Sequence, residues 1–112
     1  MTKRKRKQTR RLYHRSHYRL EEVIQKINSG QVKFRGNALR DAYKLFGWKV
    51  SDIKIAYRKL KPKHFHNTNP SINVPGVIID AYKATIKGEK IYTHFYIDID
   101  SRFLIVDSFH EQ

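Results

Sequence analysis

The sequence predicts an α+β domain whose N-terminal helices pack on one face of a mainly antiparallel β-sheet. Apolar residues recur with helical spacing over residues 18–60, and the period changes to about two after residue 76. The short polar connections IKGEK and DIDSR separate the later segments and favour antiparallel pairing of neighbouring strands. A chain of 112 residues fits one domain, so we expect a basic disordered arm over 1–17 and a single domain over 18–112.

Helices are predicted in three places before residue 62. The apolar face of the first consists of Leu20, Val23, Ile24 and Ile27. Glutamates occupy its first turn and Gly30 follows its end, as is typical of a helix start and stop. The second begins at Asn37 and ends at Gly47. The third has Ser51 as its N-cap and ends before Pro62, because proline cannot continue a helix.

Strands are predicted after a polar loop over 61–76, at Val77–Ala84, Lys90–Ile99 and Phe103–Phe109. All are rich in β-branched and aromatic residues, which favour a pleated surface. The composition of the loop, with its prolines and asparagines, indicates a connection rather than a core element. Helices followed by a strand meander give the α+β class.

The predicted strand IYTHFYID has an aromatic and titratable face. Alternation places Tyr92, His94 and Tyr96 on the side away from the helices. If the side-chain alternation of the neighbouring strand is in register with this one, Asp80 and Tyr82 lie on the same face and join the patch. Two interpretations remain open: the patch is a functional surface, or it stabilises the sheet through cross-strand aromatic pairs.

The formal net charge is +14, from 24 Lys and Arg against 10 Asp and Glu. Nine of the basic residues fall within residues 1–19, which contain no acid. This excess favours polyanionic partners, nucleic acid ahead of anionic membrane, although a basic tail can also simply solubilise a chain. There is no cysteine, so no disulfide is available and a reducing cytoplasmic setting is compatible with the sequence. No apolar run is long enough to cross a bilayer and no apolar segment follows the basic start, so we expect neither secretion nor a membrane partner.

The segment KPKHFHNTNP, residues 61–70, holds two of the six histidines. It fits a solvated connection, a metal clip, or part of a site for an anionic polymer. His64 and His66 alone are a weak metal signal, because zinc needs further ligands and nothing else has ligand spacing. We therefore expect no metal and no cofactor. The serine-hydrolase elbow and glycine-rich phosphate loops are also absent from the sequence.

Metal-free RNA cleavage is the chemistry that these residue types suit. Attack by the 2′-hydroxyl needs a base for its proton, an acid for the leaving 5′-oxygen, and positive charge near the phosphorane. Histidine, tyrosine and lysine supply those functions, and aromatic rings also stack on unpaired bases. Non-catalytic RNA-binding modules contain the same residue types. The pattern therefore leaves open whether the chain is an RNA-cleaving enzyme or an RNA-binding module.

From Tyr18 to the end, the chain resembles the motility quorum-sensing regulator (MqsR) family of bacterial toxins. The matching stretches are YRLEEVIQKINSGQV, NALRDAYKLFG, LKPKHFHNTNP, VIIDAYKA, GEKIYTHFYID and LIVDSFHEQ. The resemblance implies a RelE-like α+β fold and a metal-independent endoribonuclease that cleaves mRNA (an mRNA interferase). It also implies a cognate antitoxin protein that neutralises the toxin. The ribosome is a further possible partner.

Several family site residues are replaced in this chain. Where the family reads F-Y-K-S-M, residues 65–69 read FHNTN, so the family lysine corresponds to Asn67. A family glutamine corresponds to Ile79, and a strand lysine corresponds to His94. The retained residues are Asp80, Tyr82 and Tyr92.

The resemblance and the residue chemistry together predict the residues of the site. The expected catalytic residues are His64, His66, Asn67, Tyr92 and His94. Of these, His64 or His66 acts with His94 in proton transfer, while Tyr92 grips a base or phosphate. The expected RNA-binding residues are Lys61, Lys63, Tyr82, Tyr96, Arg10 and Arg11. The alternative is a non-catalytic RNA- or DNA-binding regulator on the same scaffold.

Overall fold

Three helices and a five-stranded sheet form the part of the chain that is described, residues 15–112 of a computed structural model. The helices are α1 (Leu20–Ser29), α2 (Gly36–Phe46) and α3 (Val50–Arg58). The strands are β1 (Val32–Phe34), β2 (Phe65–Pro70), β3 (Ile78–Ile86), β4 (Glu89–Ile97) and β5 (Leu104–Glu111). A 3₁₀ turn at Pro62–His64 precedes β2. The predicted arm lies outside the described residues up to position 14.

The sheet order is β1-β5-β4-β3-β2, and every pair is antiparallel except β1 with β5. The α+β class is therefore confirmed, and the three predicted strands form with ends shifted by one or two residues. Two strands were not predicted. β1 has only three residues, and β2 lies inside the segment that the sequence indicated was a loop. No helix in the described range is long and apolar enough to cross a bilayer.

The helix ends follow local chemistry. Gly30 and Gly47 close α1 and α2 in the left-handed region, with φ of 78° and 72°, which glycine adopts without a Cβ penalty. The prediction of Ser51 as an N-cap is wrong, because α3 begins at Val50 and its N-cap is Lys49, two residues before Ser51. The Asp52 carboxylate accepts the Lys49 N–H at 3.0 Å and so satisfies a free donor at the helix start.

The core lies between the helices and one face of the sheet. Its largest fully buried side chains include Tyr57 of α3, Tyr82 of β3, Phe95 of β4 and Phe109 of β5. The Tyr57 hydroxyl is 2.7 Å from Thr93 Oγ1, so its polar end is satisfied inside the core. The opposite face of the sheet carries no helix from the described residues, and it holds the polar groups considered below.

The chain enters the domain through two hydrogen bonds to a buried carboxylate. The backbone N–H groups of His17 and Tyr18 each donate to Asp80 at 2.9 Å, one to each oxygen. Burial raises the pKa of Asp80, while these two N–H groups act in the opposite direction. The Tyr18 hydroxyl also donates to the Ile78 carbonyl at 2.6 Å. Asp80 thus fastens the start of the domain to β3.

Candidate active site

Four rings lie together on the open face of the sheet, and we call them the imidazole–tyrosine cluster: His66, Tyr92, His94 and His110. Tyr92 is the shared neighbour, with its ring centroid 5.4 Å from His66, 4.7 Å from His94 and 5.9 Å from His110. The rings of His94 and His110 are 5.4 Å apart. Three imidazoles therefore surround one tyrosine ring.

Two irregularities in strand pairing accompany this cluster. Between β2 and β3, Phe65 pairs with Tyr82 but Asn67 pairs with Ala81, so His66 is an extra residue. Between β4 and β5, His94 pairs with Ser108 but Phe95 pairs with Val106, so the partner strand carries an extra residue at Asp107. Bulges of this kind re-aim side chains and are common beside active sites.

A cavity of about 600 Å³ borders the cluster. Its lining includes Asn67, Asn69, Ile79, Tyr92, His94 and Asp107. The cavity joins β2 and its following loop to the middle of β3 and β4. Its volume is within the usual range for a small-ligand site, and its walls combine amide, imidazole, phenol and carboxylate groups.

Charged groups surround the cluster on both sides. Lys83 Nζ is 4.9 Å from the centroid of the Tyr92 ring, a cation–π distance. Arg35 Nε is 2.8 Å from Asp107 Oδ1, and the Arg35 guanidinium also donates to the Tyr96 hydroxyl at 3.2 Å. Asp107 therefore pairs with an arginine, whereas Lys83 takes part in none of the ion pairs formed among residues 15–112.

The environment of His94 favours its neutral form. Burial lowers the pKa of His94, and the nearby His110 lowers it further, while Asp107 acts in the opposite direction. Its Nε2 atom is buried and has no hydrogen-bond partner among residues 15–112. A buried polar atom without a partner is unusual, and a bound ligand is one way to satisfy it. A neutral imidazole beside a cavity can accept a proton from a substrate.

The structure brings together four of the five expected catalytic residues. His66, Tyr92 and His94 belong to the cluster, and Asn67 lines the adjoining cavity. His64 does not join them: its Nδ1 accepts the Lys61 N–H at 2.9 Å, and it lines a different cavity together with Lys61 and Lys63.

The expected RNA-binding residues are dispersed. Tyr96 belongs to the same strand as the cluster, but it is buried and its hydroxyl is engaged by Arg35. Lys61 and Lys63 lie with His64. Arg10 and Arg11 lie outside the described residues.

The expectation that Asp80 and Tyr82 share the patch with Tyr92 is wrong. Asp80 pairs with Phe95 and Tyr82 pairs with Thr93, so both face the helices. Residues directly opposite each other in an antiparallel pair point to the same face. Tyr82 instead stacks on Phe95 in the core, with ring centroids 5.4 Å apart.

Lys83 and His110 were not predicted as site residues from the sequence. For Lys83, however, the sequence of the β3–β4 turn contained a signal. The two-residue turn at Lys87 and Gly88 has positive φ at both positions, 54° and 76°, as a type I′ hairpin requires. That turn fixes Lys83 opposite Tyr92. His110 lies opposite Tyr92 only because β5 contains the bulge, which no sequence pattern marked.

Comparison with models of known protein families gives no match, and comparison with curated proteins gives none either. Among residues 15–112, no three His, Asp or Glu side chains are arranged to hold one metal ion.

Proposed function

We propose that this protein is a metal-independent endoribonuclease that cleaves mRNA and acts as the toxin of a cytoplasmic toxin–antitoxin pair. The observation that carries the proposal is the meeting of His66, Tyr92, His94 and His110 beside one cavity on the open face of the sheet. General acid–base cleavage of RNA needs two proton-transfer groups at one phosphate, and the cluster offers three imidazoles.

The geometry supports distinct roles for these groups. His94, which is neutral near pH 7, takes the proton of the 2′-hydroxyl as its oxygen attacks the phosphorus. His66 or His110 acts as the general acid and donates a proton to the departing 5′-oxygen. The P–O5′ bond breaks, leaving a 2′,3′-cyclic phosphate on one fragment and a 5′-hydroxyl on the other. Lys83 supplies positive charge beside Tyr92, where charge develops on the phosphate oxygens.

The remaining parts of the proposal rest on charge and on the resemblance. A net charge of +14 suits a polyanionic substrate. The toxin role and the antitoxin partner follow from the similarity to the MqsR family, as does a cytoplasmic site of action. In this proposal, Tyr92 and the amide of Asn67, which line the same cavity, hold a base or a phosphate beside the imidazoles.

The test is incubation of the purified, antitoxin-free protein with a long mRNA in the presence of EDTA. We expect discrete fragments that end in 2′,3′-cyclic phosphate. Intact RNA in the presence of folded protein contradicts the nuclease proposal. Salt-sensitive RNA binding without cleavage would instead assign the chain to the non-catalytic class.

A further inference from the structure

A second cavity, of about 470 Å³, lies between the end of α3, the 3₁₀ turn and the β3–β4 turn. We call it the basic groove, and its charged or titratable lining residues are Arg58, Lys59, Lys61, Lys63, His64 and Lys87. Thr85 and Ile86 of β3 complete the lining, so no acidic side chain contributes to it. Its residues are distinct from those of the imidazole–tyrosine cluster.

Most of the positive charge in the basic groove is not neutralised within the described part of the chain. Lys87 is paired with Asp52 at 2.7 Å, and Arg58 donates to the neutral Asn28 amide at 2.7 Å. Lys59, Lys61 and Lys63 take part in none of the ion pairs formed among residues 15–112. Burial lowers the pKa of His64, and Lys63 and Lys61 lower it further by repulsion. Within residues 15–112, Asp52 beside Lys87 is thus the only carboxylate that pairs with a cation of the groove.

The open edge of β3 explains why the groove exists. β2 pairs with β3 only from Pro70 to Phe65, whose partner is Tyr82. Beyond that pair the chain belongs to the 3₁₀ turn, so the last residues of β3 have no strand beside them on that edge. The lysines of the turn are placed along this uncovered edge.

The open face of β3 links the groove to the candidate active site. Ala81 lines the active-site cavity, Lys83 lies over the Tyr92 ring, and Thr85 lines the basic groove. Alternate residues of a strand point to one face, and four residues of strand span about 14 Å. A single strand of RNA can cover that distance in a few nucleotides, passing Lys83 on the way.

We propose that the basic groove binds the RNA backbone next to the cleaved phosphate, so that one strand runs from the active-site cavity across Lys83 into the groove. This inference rests on the proposed function for the identity of the polyanion. Lysine heads bind phosphate as point charges, without the planar geometry that arginine imposes, and therefore suit sequence-independent contact. The groove positions the strand, and the active-site cavity holds the reacting nucleotide.

The experiment measures binding of a fluorescent 2′-O-methyl RNA, which lacks the attacking hydroxyl, by anisotropy over a series of salt concentrations. The test variant is Lys61→Gln/Lys63→Gln. The matched control is Lys33→Gln/Lys44→Gln, which removes equal charge from exposed positions on β1 and α2. If each groove lysine contacts one phosphate, the slope of log affinity against log salt falls in magnitude by about 1.4 in the test variant. The control slope stays at the wild-type value.

A second readout uses the wild-type protein and so does not depend on the folding of a variant. Binding of the same RNA places phosphate beside His64 and raises its pKa, which NMR titration of the imidazole resonances reports. An unchanged His64 titration, or equal salt slopes in the test and control variants, overturns the proposal. Equally effective displacement by polyglutamate overturns it in favour of an acidic protein partner. Groove-dependent binding by a protein that never cleaves RNA supports the groove and contradicts only the nuclease proposal.

Discussion

His94 and Tyr92 are the residues through which the proposed chemistry is most directly tested. We expect His94→Gln and Tyr92→Phe each to reduce mRNA cleavage by about 10²-fold, the size of a general acid–base or positioning contribution. Glutamine keeps a polar side chain of related size but transfers no proton. The rate is measured as appearance of cyclic-phosphate ends under single-turnover conditions.

Matched controls come from exposed copies of the same residue types. His17 donates its backbone N–H to Asp80 while the residue itself is exposed, and Tyr43 on α2 is 64% exposed. His17→Gln and Tyr43→Phe should therefore cleave at the wild-type rate. Equal losses in the controls and the cluster variants would show that folding, rather than chemistry, is affected.

The lowered pKa of His94 also predicts a pH dependence of stability. The unfolded chain has a histidine pKa of about 6.5, so between the lowered folded value and 6.5 the unfolded state binds more protons. The free energy of unfolding therefore rises with pH through that window. The contribution of neutral His94 to stability is fully present above the window and is lost as the pH falls through it. Urea denaturation at a series of pH values between about 5 and 7.5 measures this slope.

His94→Gln should flatten that slope without abolishing it, because burial also lowers the pKa of His64. His17→Gln, at an exposed position, serves as the comparison. A slope that is identical in all three proteins would remove His94 from the set of groups that titrate differently on folding.

At the scale of elements, Asp80 connects β3 to the segment that enters α1. Asp80→Asn replaces one acceptor oxygen by an amide donor facing a backbone N–H at His17 or Tyr18. An unsatisfied buried donor costs about 1–3 kcal/mol, so we expect the free energy of unfolding to fall by that amount. Chemical denaturation measures the loss, and Asp100→Asn, on the exposed β4–β5 turn, should leave stability within about 0.5 kcal/mol of wild type.

The helices were the elements that could be predicted from local chemistry. Their apolar spacing and the glycines Gly30 and Gly47 are short-range signals that tertiary contacts did not override. β2 was missed because its residues FHNTNP are polar, and only pairing with β3 makes that segment a strand. The β-propensity of a segment does not predict such a pairing, because strand formation depends on the neighbouring strands with which the segment packs.

The candidate site was accessible from the sequence only in part. Side-chain alternation correctly separated Tyr92 and His94 from the buried face of β4. Strand register was the missing information: it sent Asp80 and Tyr82 to the core, and the β5 bulge brought His110 to the cluster. A single extra residue reverses which side chains face the site, so bulges limit what periodicity can establish.

At the scale of the whole molecule, the charge of the chain is divided between the arm and the domain. Residues 1–14 contain seven lysines and arginines, including Arg10 and Arg11. If every one of these contacts a phosphate, replacing all seven with glutamine should reduce the magnitude of the salt slope for single-stranded RNA by about 5. Anisotropy with 2′-O-methyl RNA measures the change.

The same substitution separates affinity from chemistry, because the imidazole–tyrosine cluster lies within residues 66–110. We expect the arm variant to need more RNA for half-saturation while keeping the wild-type cleavage rate at saturating RNA. This split follows because sequence-independent phosphate contacts stabilise the bound substrate and the transition state equally. A fall in the saturated rate comparable to that of His94→Gln would instead mean that the arm takes part in the reaction at the cleaved phosphate.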